Sequence, residues 1–221
     1  MSERSEAMQT GQVTDPQTVD PGLTSPDRAT LSREQAYRAG AYALLARLLV
    51  GAPDRQVLQQ VAGFASISRL DDGMTLAMST LGLAAGRCAP AAIDDEFHDL
   101  FIGLGRGELV PYGSWYLTGF LMERPLGRLR DDLASLGLQR DPAAHEPEDH
   151  VAALCEVMQL LISDGVPHTR QADFFNAHMG QWLERFFQDL SEARHAVFYR
   201  AVGRFGLNFI ELETRYLAMQ V

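Results

Sequence analysis

Apolar side chains return at three- and four-residue steps through most of the chain, and no stretch sustains a two-residue alternation. That period predicts helices. Ser32 and Gln35 stand at capping-box spacing, and Tyr37, Ala41, Leu44, Leu45 and Leu48 follow on one face up to a stop near Gly51 and Pro53. Asp54 is placed to cap a second helix carrying Val57, Leu58, Val61 and Phe64. A third helix is expected over about residues 71–86 and a fourth over about 91–103, behind Pro90. Ser114 reads as the cap of a helix bearing Trp115, Leu117, Phe120 and Leu121. Pro125 restarts or kinks that helix, and Leu126, Leu129, Leu133 and Leu136 continue the period. A polar connection over 137–145 leads to Glu146-Pro147-Glu148-Asp149, which has the composition of a strong helix start. Behind it runs the stripe Val151, Leu154, Cys155, Met158, Leu161 and Ile162. Helices over about 171–189 and 192–219 complete a set of eight or nine. With no NG or DG hairpin and no internal repeat, the fold class is all-α.

Residues 1 to about 30 break the pattern. They are polar, carry Pro16, Pro21 and Pro26, and have too few apolar side chains to offset ordering entropy, so a disordered tail is expected. The chain of 221 residues can hold one large domain or two small ones.

Charge narrows the function. Nineteen basic residues face twenty-nine acidic ones, for a formal net charge of -10, and every basic residue is Arg. Without Lys, a conventional P-loop and any Schiff-base chemistry are excluded. An acidic chain is poorly suited to nucleic acid, whose affinity comes mostly from phosphate neutralisation, and better suited to cationic partners. Cys88 and Cys155 lie 67 positions apart with no CxxC, so a zinc ribbon or redox pair is unsupported and reduced thiols among apolar neighbours are expected. No run reaches the roughly 20 apolar residues of a membrane span, and the N-terminus lacks an apolar signal core. The chain reads as soluble and cytoplasmic.

Three constellations carry candidate chemistry. In the first, Gly103, Gly105 and Gly107 break a helix and lead through Leu109 and Pro111 into Tyr112, Ser114, Trp115 and Tyr116. Aromatic side chains beside a tight turn suit an apolar groove with polar handles. The Gly spacing is a weak phosphate-loop signal, since no strand precedes it and no Lys follows. The second is Glu146, Glu148, Asp149 and His150, where acidic groups explain a helix start by themselves and the imidazole adds an adjustable hydrogen-bonding head. The third is a metal alternative: Glu192/His195 and Asp95/His98 at i, i+3, with Glu156 and Glu184 as further donors, would make a di-iron-like helical protein or enzyme. No GxSxG, HExxH or Cys–His pair supports conventional catalysis. His145, His168 and His178 are expected at helix ends or on the surface, and Phe174, Phe175, Trp182, Phe186 and Phe187 in the core.

The run Asp99-Leu100-Phe101 through Pro111-Tyr112 to Ser114 and Tyr116, followed by Glu146-Pro147-Glu148-Asp149-His150, resembles the TorD/DmsD/NarJ family of redox-enzyme maturation chaperones. The resemblance covers about residues 35–215, and the EPxDH element is its most specific part. It implies an all-helical bundle in two parts joined by a hinge just before EPEDH, an N-terminal part over 31–139 and a C-terminal part over 140–221, as one compact domain or two swappable halves, with the tail over 1–30 outside the resemblance. It also implies a non-enzymatic cytoplasmic chaperone without a cofactor of its own, monomeric or a domain-swapped homodimer. Its partner would be the twin-arginine signal peptide, or apo-form, of a molybdopterin oxidoreductase. The client would be a formate dehydrogenase or a trimethylamine-oxide or dimethyl-sulfoxide reductase, with Gly105-Arg106-Gly107-Glu108-Leu109 and Tyr116–Leu121 closest to the formate dehydrogenase branch. The peptide-binding face would comprise Leu109, Pro111, Tyr112, Ser114, Trp115 and Tyr116 with Glu146, Glu148, Asp149 and His150.

Overall fold

Among the residues described by the structure, a computed structural model covering 31–67, 72–104, 106–139 and 146–219, ten α-helices form and no strand does. The expected tail and most of the expected hinge lie outside these residues. The first four helices are α1 (Arg33–Leu49), α2 (Arg55–Ala62), α3 (Gly73–Arg87) and α4 (Pro90–Phe97), the last running into a π-helical turn at His98–Ile102. The capping box at Ser32 and the Asp54 cap of α2 both form as the sequence predicts. Next come α5 (Gly113–Thr118), α6 (Arg124–Ser135) and α7 (Val151–Ser163). The chain ends with α8 (His168–His178), α9 (Leu183–Glu192) and α10 (Phe198–Leu217).

Helices from both sides of residue 140 share one core. α1 lies along α7, and α10 packs on α3 and α9. Tyr42, Phe175, Trp182, Phe186, Phe187, Phe198, Tyr199 and Phe205 are all fully buried, each contributing roughly 1.5–3 kcal/mol of apolar transfer. Gly203 permits the α9–α10 approach, because a Cβ there would stand 2.6 Å from the Ser191 backbone nitrogen. Beneath α1, the buried Arg38 guanidinium donates to Glu213 of α10 (Nε to Oε2, 2.8 Å) and to Gln171 of α8 (2.9 Å).

Several local expectations are corrected. The single helix expected over 171–189 is two, broken at Met179–Trp182, where the amides of Met179 and Gly180 both reach the Phe175 carbonyl and the Trp182 indole N–H donates to the His178 carbonyl at 2.7 Å. His178 is buried against Asp132 (2.7 Å), not on the surface. The last helix begins at Phe198, six residues later than expected, because the buried Glu96 carboxylate takes the amides of Val197, Phe198 and Tyr199 (2.7, 3.0 and 2.7 Å) and fixes the start there. Phe120 and Leu121 fall in an exposed bend after α5, since Gly119 ends that helix in the left-handed region. Cys155 is buried, Cys88 is partly so, and neither is bonded.

Candidate functional site

The two motifs that the sequence separates by more than thirty residues meet as a backbone clamp. Tyr112 and His150 form an isolated antiparallel bridge, with Gly113 N–H donating to the Asp149 carbonyl and Val151 N–H to the Pro111 carbonyl, both at 2.9 Å. This pairing relocates the helix start. Glu146-Pro147-Glu148-Asp149 is a turn, closed by His150 N–H on the Pro147 carbonyl (3.1 Å), and α7 begins at Val151 with His150 as its N-cap. The cap itself is the imidazole, whose Nδ1 accepts from the Ala152 amide at 3.2 Å. That role requires an unprotonated Nδ1. Burial pushes the His150 pKa down to about 4, with Glu146 and Asp149 pulling the other way.

Ser114 is likewise not a cap. It sits fully buried in the first turn of α5, and its backbone N–H donates to Asp149 Oδ2 at 2.8 Å. The carboxylate that satisfies the start of α5 thus comes from the clamp, 35 residues away. Asp149 is 3% exposed, its second oxygen has no hydrogen-bond partner, and neither has the Ser114 hydroxyl. Two unsatisfied buried polar atoms on a pair of hydrogen-bonded residues are uncommon and mark a place where a further polar group would be stabilised.

Asp149 also lines a cleft of about 410 Å³ between α5, α6 and α8, together with Gly113, Leu117, Asp132 and His178. Exposed Arg124 and Arg128 stand at its rim. Beyond Leu117 the bend presents Phe120, Leu121 and Met122 to solvent, with Met122 in the left-handed region at φ 59°. A non-glycine residue there is strained, and such strain gathers at working surfaces.

The remaining expected site residues are placed variously. Tyr112 keeps its ring 5.0 Å from that of His150 and donates its hydroxyl to Glu146, and burial together with that carboxylate raises its pKa. Glu148 is held by Arg130 in a forked pair at 3.0 and 2.9 Å. Pro111 is buried in the clamp, and Leu109 packs on the core. Trp115 turns towards the Arg106 guanidinium, 4.9 Å from its ring. Tyr116 points inward to Trp182 and Asp189. Of the ten, Asp149 is the side chain that joins clamp and cleft. The cleft residues Arg124, Arg128 and Asp132 were not singled out by the sequence reading, yet they recur at i, i+4 and i+8 beside the buried Leu126 and Leu129.

The glycine loop serves packing. A Cβ on Gly107 would stand 2.5 Å from the Leu100 carbonyl oxygen, so the loop folds back against its own preceding turn. From its end, Glu108 takes the amides of Arg194 and His195 (2.6 and 3.1 Å) and the His195 Nδ1 (2.7 Å). Desolvation opposes it, but these bonds hold the Glu108 carboxyl below its ordinary range. Among the described residues, no group of three or more His, Cys, Asp and Glu is arranged to hold a metal ion. No single helix among them is long and apolar enough to cross a membrane.

Comparison with known proteins agrees with this architecture. The family profile described as nitrate reductase delta subunit matches residues 68–188, more than half of the chain. A TorD chaperone of Aliivibrio fischeri is 26% identical over 203 residues, covering 82% of this chain and 94% of that protein. One from Aliivibrio salmonicida is 28% identical over 59% of this chain and 66% of its own length, and one from Vibrio cholerae (strain M66-2) is 29% identical over 55% and 60%. The crystal structure of a putative redox enzyme maturation protein from Archaeoglobus fulgidus shares the fold, with TM-score 0.51 and 15% identity over 87% of this chain and 99% of that one. The chain belongs to the nitrate reductase delta subunit family of TorD- and NarJ-type redox-enzyme maturation chaperones, a family of chaperones and not of enzymes.

Proposed function

We propose that this chaperone works in the cytoplasm on a molybdopterin oxidoreductase, holding the twin-arginine signal peptide of the apo-form and delaying export until the cofactor is inserted. The observation that carries this reading is the Asp149 carboxylate: buried, fixed by Ser114 N–H through one oxygen, with the other oxygen unpartnered, on a residue that lines an open cleft. A guanidinium of the leader supplies the charge-assisted donors that this oxygen lacks. The apolar run after the arginines then lies along Leu117 and the exposed Phe120–Met122 bend. Cation and apolar stretch are adjacent in such a leader, as Asp149 and Leu117 line one cleft here. Glu146 and Glu148, occupied by Tyr112 and Arg130, shape the clamp. The client class suggested by residues 105–121 is a formate dehydrogenase, ahead of trimethylamine-oxide and dimethyl-sulfoxide reductases.

The test is calorimetric titration of leader peptides from the three client classes into wild type, Asp149→Asn and the Asp149→Ala/His150→Ala double variant. Asp149→Asn keeps an acceptor for Ser114 N–H and removes the charge. A tenfold or greater loss of affinity in Asp149→Asn, with the melting temperature held within a few degrees, is expected. Unchanged affinity in both variants would remove these residues from the site.

A further inference from the structure

Asp149 shares the cleft between α5, α6 and α8 with a second carboxylate. Asp132, in the last turn of α6, lines it too, and the two acids come from different elements, one from the clamp ahead of α7 and one from α6. Helix stability does not account for Asp132, because an acid in the last turn opposes the helix dipole. Arg128 precedes it by four residues, the less favourable order for an ion pair along a helix. Among the described residues the carboxylate has one side-chain partner, the buried His178, whose Nε2 donates to Asp132 Oδ2 at 2.7 Å. That bond fixes the group while leaving the Asp132 side chain 55% exposed, whereas Asp149 is buried and keeps one oxygen unpartnered.

We propose that Asp132 is a specificity-determining residue of this cleft, taking one guanidinium of the leader's arginine pair while Asp149 takes the other, and that His178 is its positioning residue. The inference rests on the leader reading above. Successive side chains of an extended peptide point to opposite faces, so neighbouring arginines are met by acids carried on separate elements. The two acids read their arginines differently. Burying a cation at Asp149 favours guanidinium, which is more weakly hydrated than ammonium and brings a planar fork of donors. The half-exposed Asp132 leaves its cation in contact with water and accepts either kind. The cleft thus requires Arg at one position and only a positive charge at the neighbouring one. Arg124 and Arg128 at the rim are exposed, so solvent and salt screen their opposition to an incoming cation.

The experiment takes the tightest-binding of the three synthetic leader peptides, with versions carrying Gln or Lys at either arginine of the pair. Each is titrated calorimetrically into the full chain as wild type, Asp132→Asn and Asp149→Asn. Asp132→Asn keeps an acceptor for His178. It is expected to lower affinity about threefold, the size of a half-exposed ion pair, and to have no effect against the peptide with Gln at one of the two arginines. Against the peptide with Gln at the other arginine its effect persists, and there Asp149→Asn has none. Lys is tolerated at the arginine coupled to Asp132 and costs about tenfold at the one coupled to Asp149. A merely structural Asp132 would lower affinity equally against both Gln peptides. That result, no effect of Asp132→Asn at all, or equal tolerance of Lys at both positions would overturn the assignment while leaving the role of Asp149 intact. Failure of all three leaders to bind wild type would overturn both.

Discussion

Replacing Glu96 tests how the last helix is held. α10 has no side-chain cap of its own, as its N-cap residue is Val197. One buried carboxylate takes its first amides: Oε1 accepts from Val197 and Tyr199, Oε2 from Phe198. In Glu96→Ala all three donors lose their acceptor. The Val197 amide, on an exposed residue, recovers water, whereas Phe198 and Tyr199 are fully buried and do not. At about 2 kcal/mol for each stranded donor, the loss is about 4 kcal/mol. That is a large part of the roughly 5–15 kcal/mol available to a protein of this kind. It corresponds to a fall in Tm of roughly 8–16 °C at this chain length. Glu96→Gln retains one carbonyl oxygen, enough for two of the three donors, and is expected to fall between wild type and Ala, losing about 2 kcal/mol. Urea unfolding followed by circular dichroism gives both values. A Glu96→Ala loss below about 1 kcal/mol, the size of an ordinary exposed cap, would refute the reasoning that these donors are sealed from water.

Two further outcomes follow from the same geometry. Because burial lowers the folded pKa of His150 to about 4 while the unfolded value is near 6.5, the unfolded chain takes up the proton first. Its stabilising contribution is therefore complete above about pH 6.5 and is lost as the pH falls towards 4, by about 3 kcal/mol in all. Stability of His150→Gln, measured by urea unfolding at pH 7.5 and 4.5, should fall by correspondingly less than that of wild type, and equal falls would contradict this. Gly203→Ala gains about 1 kcal/mol of helix propensity but drives a methyl against the Ser191 backbone, which cannot rotate aside. Overpacking of about 3 kcal/mol leaves a net loss of about 2 kcal/mol. A variant as stable as wild type in thermal unfolding would show that α9 and α10 can move apart without cost.

The sequence was most legible where local chemistry decided the outcome. Ser32 and Gln35 cap α1, Asp54 caps α2, and the leucine periods of α1, α6 and α7 face the core as read, with Leu45, Leu48, Leu126, Leu129, Leu154 and Leu161 buried and Leu44, Leu133 and Leu136 half-buried against it. It was least legible where a distant group took over a local role. Pro147 among acidic residues has every feature of a first helical turn, but the bridge to Tyr112 commits His150 to extended pairing and delays α7 to Val151. Ser114 has the composition of a cap, but Asp149 supplies the acceptor and the serine goes into the core. The aromatic stripe from Phe174 to Phe187 continues in apolar phase across the break at Met179–Trp182, so periodicity alone runs α8 and α9 together. Within the candidate site, the meeting of the two motifs was anticipated. The occupation of Glu148 by Arg130 and the contribution of α6 to the cleft depend on tertiary placement and left only the Arg124, Arg128, Asp132 spacing as a trace.

The three borrowed carboxylates also bear on how the chain acquires its structure during synthesis. Glu96 reaches its donors across 101 to 103 residues and Glu108 across 86 and 87. A helix capped by its neighbour in sequence can form as soon as it is made, whereas the start of α10 has to wait for its own emergence and then find an acceptor already set in place by α4. Loop closure on that scale precedes any reward from the contact, which slows folding relative to bundles of local hairpins. Until the final helix docks, the apolar faces of α3 and α9 remain uncovered, so this chaperone passes through a stage in which it has the same need for protection that its family provides to others.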